Sequence, residues 1–109
     1  MNAIVAGPDE DGIAEALESQ GFDVTRLEGR LSRPVLEEAG ILEADLYVLT
    51  DVAEATTIPI VCDLTDDVRT VIYARDSVPE FVRGQLDLAV DPALLDPAVV
   101  ASELTRPAE

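Results

Sequence analysis

The chain has 109 residues, 48% of them apolar, which bounds it to one domain with a modest core. Seven basic residues against 23 acidic ones give a net charge of −16. All seven are arginines (Arg26, Arg30, Arg33, Arg69, Arg75, Arg83 and Arg106), and there is no Lys or His. Nucleic-acid binding needs a basic footprint that is absent, and an anionic membrane surface would repel the chain. No apolar run approaches the roughly 20 residues of a membrane span, and no basic-then-apolar leader opens the sequence. The single Cys62 forms no internal disulfide, and these features together predict a cytoplasmic protein. Without His or Lys, nucleophile–His pairs, Schiff bases and His-ligated metals are excluded, which predicts a non-enzymatic protein.

In chain order, Ala3 to Ala6 predict a buried first strand followed by the loop Gly7-Pro8-Asp9-Glu10-Asp11-Gly12. Ile13, Ala16, Leu17 and Gln20 lie at helical spacing, and Gly21 stops that helix. Phe22 to Leu27 predict strand two. Ser32 before Arg33-Pro34 starts a second helix that Gly40 ends. Asp45 to Thr50 predict strand three. Asp51 and Glu54 form a capping-box pattern opening a third helix, with a kink or break at Pro59. Thr70 to Ala74 predict strand four, Ser77 and Glu80 cap a short helix that ends at Gly84, and Leu86 to Val90 predict strand five. Asp96-Pro97 starts a last helix running to about Leu104.

Strands alternating with helices indicate an α/β fold with a parallel sheet. Right-handed crossovers favour a single doubly wound, five-stranded, Rossmann-like sheet in the order 2-1-3-4-5. Residues 1–105 form one domain, with 106–109 a frayed tail.

Three stretches carry a family resemblance: Leu36 to Asp45 (L-E-E-A-G-I-L-E-A-D), Val71 to Arg75, and Gly84 through Asp91-Pro92. They resemble the Rossmann-type TrkA-N (RCK) domain of potassium-transport regulators. That family places a further helix and strand where only Glu28 to Ser32 stand here, so the resemblance implies a trimmed sheet. The chain is also similar to short haloarchaeal proteins, some labelled CTP synthetase. Its lack of a P-loop, Lys and His gives that activity no support.

The resemblance implies a nucleotide site at the carboxyl edge of the sheet, with NAD or an adenine nucleotide as cofactor. Its candidate residues are Gly7, Asp9, Gly12, Glu28, Asp51 and Arg75. Gly7 and Gly12 match the first and third glycines of G-x-G-x-x-G, but Asp9 holds the second position, where a pyrophosphate would meet its charge. Glu28 matches the acid that binds ribose hydroxyls. The alternatives are structural: Asp9 and its neighbours satisfy the helix N-terminus, Glu28 is surface charge, Asp51 is an N-cap, and Arg75 pairs with Asp76, Asp51 or Asp9. Asp9, Asp11, Asp51 and Asp76 together could hold Mg²⁺ or Ca²⁺. Phospho-receiver domains share the strand order, and Asp51 fits their acceptor position. They need acids directly after strand one and a Lys after strand five, where Asp91-Pro92 stands here.

Three functions are therefore expected, in order: a non-catalytic nucleotide- or small-ligand-binding regulatory module, an interaction protein forming a homodimer, and a Mg²⁺-dependent carboxylate-site enzyme. A separate transport subunit is a further partner that the resemblance implies. The acid excess itself fits molar cytoplasmic salt, where the screening length falls to about 3 Å. The melting temperature is expected to rise between dilute buffer and molar KCl; an unchanged value contradicts the halophilic reading.

Overall fold

A computed structural model describes residues 1–105. The predicted tail at 106–109, with Arg106, lies outside the described residues. Five strands, β1 (Asn2–Ala6), β2 (Asp23–Leu27), β3 (Leu46–Leu49), β4 (Arg69–Tyr73) and β5 (Leu88–Val90), form one sheet. Every pairing is parallel and the order is 2-1-3-4-5, as the alternation of apolar runs and helical spacing predicts.

The helices cover both faces. On one, α1 (Ile13–Ser19) and α4 (Pro97–Leu104) set Ile13, Ala14, Leu17, Val100, Ala101 and Leu104 against Val5, Val48 and Val71. On the other, α2 (Arg33–Glu38) and α3 (Thr57–Leu64) set Leu36, Ile58 and Val61 against Ile4, Tyr47, Leu49 and Ile72. Successive strand residues point to opposite faces, so β1, β3 and β4, buried on both, read as continuous apolar runs. β2, at one edge, is largely exposed.

Local signals explain most boundaries. Ser32 accepts a hydrogen bond from the Val35 amide at 3.4 Å, with Pro34 in the first turn, as its N-cap pattern predicts. Gly40 stops α2 in the left-handed region, φ 90°.

Two helices differ from expectation. Asp51 does cap, its Oδ1 accepting from Ala53 N–H at 3.0 Å, but it opens only the 3-10 turn Val52–Glu54. α3 restarts at Thr57, which puts Pro59 in the first turn, where a missing N–H costs nothing. The Ala55 carbonyl accepts instead from Ile58 at 3.1 Å. The helix expected after Ser77 is only the 3-10 turn Glu80–Val82, and Pro79, not Ser77, precedes it. The proline biases Val78 away from helical backbone, so a turn beginning at Ser77 cannot propagate.

Tyr47 is fully buried, with its hydroxyl hydrogen-bonded inside the core. Thr57 Oγ1 donates to the Glu54 carbonyl at 2.8 Å, so Tyr47 donates to Thr57, also at 2.8 Å. Burial pushes the Tyr47 phenol up to about 12. The unfolded phenol ionises near its ordinary value of 10, so this group's contribution is complete below pH 10 and is lost as pH rises toward 12. Tyr47→Phe is expected to cost about 1 kcal/mol at pH 7 and to flatten the loss of stability between pH 10 and 12. Urea unfolding across that range checks it; an alkaline limb unchanged by the substitution contradicts it.

Candidate functional site

In a parallel sheet of this order, ligands bind at the carboxyl edge where the connections diverge. Here β1 and β3 run side by side while their connections leave to opposite faces. The β1–α1 loop occupies that point. It leaves the sheet at Gly7, whose φ of 105° disfavours other residues. A Cβ on Gly7 would come within 2.5 Å of Thr50 Oγ1. Thr50 hydrogen-bonds the carbonyls of Ala6 and Pro8, tying the loop to the end of β3. Gly7 is therefore required by its neighbours in the fold, with no ligand needed to explain it.

Asp9 turns back under the loop. Its Oδ1 accepts from Ile13 N–H at 2.7 Å and its Oδ2 from Ala14 N–H at 3.3 Å. These amides open α1 and have no partner within the helix. The carboxylate thus sits where a bound pyrophosphate would have to lie. Arg26 closes the arrangement: it donates to the Gly7 carbonyl at 2.8 Å and lies 3.6 Å from Asp9 Oδ2. Strand register places it there, since Arg26 pairs with Val5, two residues before Gly7. Gly12 precedes α1 at φ 80°, with nothing within 4 Å of an added Cβ, so it serves the turn and not a close approach.

The other candidates separate. Glu28 is exposed and accepts from Arg26 at 3.2 Å; it lines a small cleft of about 270 Å³ with Gly7 and Asp51. Asp51 and Arg75 border a second, open cleft of about 370 Å³ with Thr50, Glu10, Asp11 and Asp76. Arg75 does not pair with the acids expected from sequence. It makes two hydrogen bonds to Asp11, at 3.0 and 2.8 Å, joining the β1–α1 loop to the end of β4. Its guanidinium holds the Asp11 carboxyl below the usual carboxylate range. The pair's contribution is therefore present above the ordinary value of 3.8 and lost as pH falls through the lowered one. Both side chains meet solvent, which screens the pair.

Among the described residues no three acid or Cys side chains converge on a point that could hold a metal ion. Cys62, on α3, is half-buried with its thiol 3.8 Å from the Gln85 carbonyl. Burial, reinforced by Asp87 and Asp66, pushes that thiol up, away from nucleophilic use. Sequence reasoning missed Arg26, Thr50 and Asp11 as organisers of this edge. The signals were positional: Arg26 is the penultimate residue of β2 and Thr50 directly follows β3, the two strands beside β1, and Asp11 lies two residues beyond Asp9 in the same loop.

A family model now decides the relationship, matching residues 3–104. The chain belongs to DUF7126, a family of unknown function. No curated protein matches it. Similar solved structures include an orphan response regulator of Helicobacter pylori, 11% identical with a TM-score of 0.73, covering 96% of this chain and 93% of that one. A Burkholderia pseudomallei protein described as pilus assembly-related is 21% identical with a TM-score of 0.70, covering 97% and 87%. A response regulator from the same species, solved with a phosphorylated aspartic acid, calcium and citrate, is 18% identical with a TM-score of 0.61, covering 96% and 71%.

These likenesses establish a receiver-like fold and correct the TrkA-N resemblance. Five strands in the order 2-1-3-4-5 match the receiver-like fold, so no edge strand need have been trimmed. The quoted segments misled because they are helix stops and buried strands. Leu36 and Ile41 are core, Gly40 is a helix stop, and Val71 to Tyr73 is an interior strand. No helix among the described residues is long and apolar enough to cross a membrane.

Asp9→Ala is expected to lower stability by about 1–2 kcal/mol, because two helix amides lose their acceptor. Arg75→Ala should cost less than Asp9→Ala, since its pair is solvent-screened. Urea unfolding in molar KCl ranks the two; a larger loss for Arg75→Ala contradicts this account of the edge.

Proposed function

We propose that this domain is a non-catalytic, receiver-like interaction module of a salt-rich cytoplasm, acting through contact with another protein. The observation carrying this reading is the Asp9 carboxylate at the start of α1, with both oxygens engaged and Arg26 beside it. A nucleotide would have to displace that carboxylate and approach Glu10, Asp11 and Asp51 as well. Phosphotransfer is disfavoured on similar grounds. Asp51 stands after β3 with its carboxylate engaged at Ala53, and the end of β5 carries Asp91-Pro92, so no ammonium is available to meet a phosphoryl group.

A second reading, binding of a small ligand, draws support from the open cleft of about 370 Å³ beside Arg75. It is large enough for a small metabolite. Its rim of Glu10, Asp11, Asp51 and Asp76 opposes an anionic one, and Arg75 is engaged with Asp11.

Calorimetric titration in molar KCl with NAD, NADH, ATP, ADP and AMP separates the readings. The interaction reading expects no heat from any of them. A saturable one-site signal overturns it in favour of a binding module. Incubation with acetyl phosphate and Mg²⁺ is likewise expected to leave the intact mass unchanged; a phosphoryl adduct on Asp51 overturns the reading.

A further inference from the structure

The two edges of the sheet differ in what they offer. β5 has three residues, Leu88–Val90, and so short an edge strand gives a partner little to pair with. β2 has five, and Asp23, Thr25 and Arg26 are exposed. Its backbone direction is set by hydrogen bonds at the two ends of β1. Asp23 N–H donates to the Met1 carbonyl at 2.8 Å, and the Leu27 carbonyl accepts from Gly7 N–H at 2.9 Å. Asp23 and Leu27 therefore face β1, and by alternation Thr25 does too. Val24 and Arg26 turn their N–H and C=O groups outward, four backbone groups along an open edge. Of the strand's two charged side chains, Arg26 is used elsewhere: it folds back onto the Gly7 carbonyl and lies 3.6 Å from Asp9. Unpaired backbone of this kind is a template for another strand.

We propose that β2 pairs antiparallel with β2 of a second copy, about a two-fold axis at Thr25, joining two five-stranded sheets into one. This goes beyond the interaction reading above and does not rest on it, since a nucleotide-binding module could pair in the same way. Register decides the occupant. Outward residues must meet outward residues, so a two-fold pairing that joins these groups centres on Val24, Thr25 or Arg26. Centring on Arg26 sets the two Arg26 residues directly opposite, and like charges opposite one another destabilise a strand pair. Centring on Val24 sets Arg26 against Phe22, whose N–H is already given to the Leu17 carbonyl at 3.1 Å. Centring on Thr25 sets Val24 against Arg26 twice, so all four outward groups of each chain find partners. It also sets Thr25 against Thr25, a favourable cross-strand pair, and Asp23 against Leu27, with no like charges directly opposed. The two Arg26 side chains lie diagonally, each turned back onto its own Gly7 and Asp9. The ends are complementary as well. Arg30, exposed in the loop leaving β2, makes no ion pair among the described residues, and the antiparallel copy brings its exposed Asp23 toward that end. A two-fold contact of this kind closes on itself and builds no fibre. In molar salt the screening length of about 3 Å weakens the repulsion between two acidic chains.

One five-residue strand makes a small contact, so the dimer is expected to be weak and concentration-dependent. Light scattering in molar KCl, from micromolar to millimolar chain, is expected to show the mass rising from 11.6 kDa toward twice that value. Cross-linking reads the register, in a Cys62→Ala background with oxidised glutathione as oxidant. Residues opposed in an antiparallel pair without mutual hydrogen bonds have Cα atoms about 4.5 Å apart, within the span of a disulfide. Thr25→Cys should therefore form a disulfide dimer about tenfold faster than Asp23→Cys, whose two copies stand about 13 Å apart along the pair. Thr25→Asp opposes two carboxylates at the axis and should return the chain to a monomer with an unchanged circular dichroism spectrum. If Thr25→Asp unfolds, the two Cys variants decide. A monomer at every concentration overturns the proposal. So does a dimer that survives Thr25→Asp, or Cys variants that cross-link at equal rates or not at all, because the contact then lies elsewhere.

Discussion

The carboxyl edge is organised around the Asp9 carboxylate at the start of α1. Two amides that a helix cannot satisfy internally are met by one side chain three residues before the helix cap. That position requires the loop to double back, and the path depends on Gly7 passing against Thr50 in the left-handed region. Arg26, delivered by the β1–β2 register, ties the carboxylate to the Gly7 carbonyl. A second tie, Arg75 to Asp11, fastens the far side of the loop to the end of β4. The edge that binds ligands in many sheets of this order is here built from its own side chains.

This arrangement suits a chain with 23 acids and seven arginines. Cations are scarce, and at the carboxyl edge two of them hold a single loop. Arg33 and Arg83 stay on exposed surfaces with Asp63 and Glu80. Exposed pairs of that kind contribute little. The stability of the fold rests instead on the two apolar layers that sandwich β1, β3 and β4. A repelling surface over a modest core explains why salt should matter more to this domain than to a neutral one.

The architecture was legible in the sequence because strands buried on both faces announce themselves as unbroken apolar runs, such as Leu46 to Leu49. Right-handed crossovers then leave few orders. The relationship was misjudged for a related reason. The residues that suggested TrkA-N regulators are those that any such sheet needs: a glycine to stop a helix at Gly40, an alanine where layers approach at Ala44, apolar residues along β4. The six candidate site residues do cluster about the carboxyl edge, yet their partners were hidden. Whether Arg75 reaches Asp9, Asp11, Asp51 or Asp76 depends on loop paths that no spacing rule specifies. Only the charge on Asp9 hinted that the loop serves the helix itself. The split of the third helix at Thr57 likewise turned on where Pro59 fell within the first turn.

The measurement that tests the central claim most directly is amide hydrogen exchange at Ile13, compared between the native chain and Asp9→Ala in molar KCl. Ile13 opens α1, and its N–H has no partner in the helix, so its protection depends on the Asp9 carboxylate. The account predicts strong protection in the native chain. In the variant, exchange at Ile13 should approach that of an unprotected amide while Leu17, inside the helix, stays protected. An Ile13 amide equally protected in both proteins would mean that another group holds the helix start, and would contradict the account.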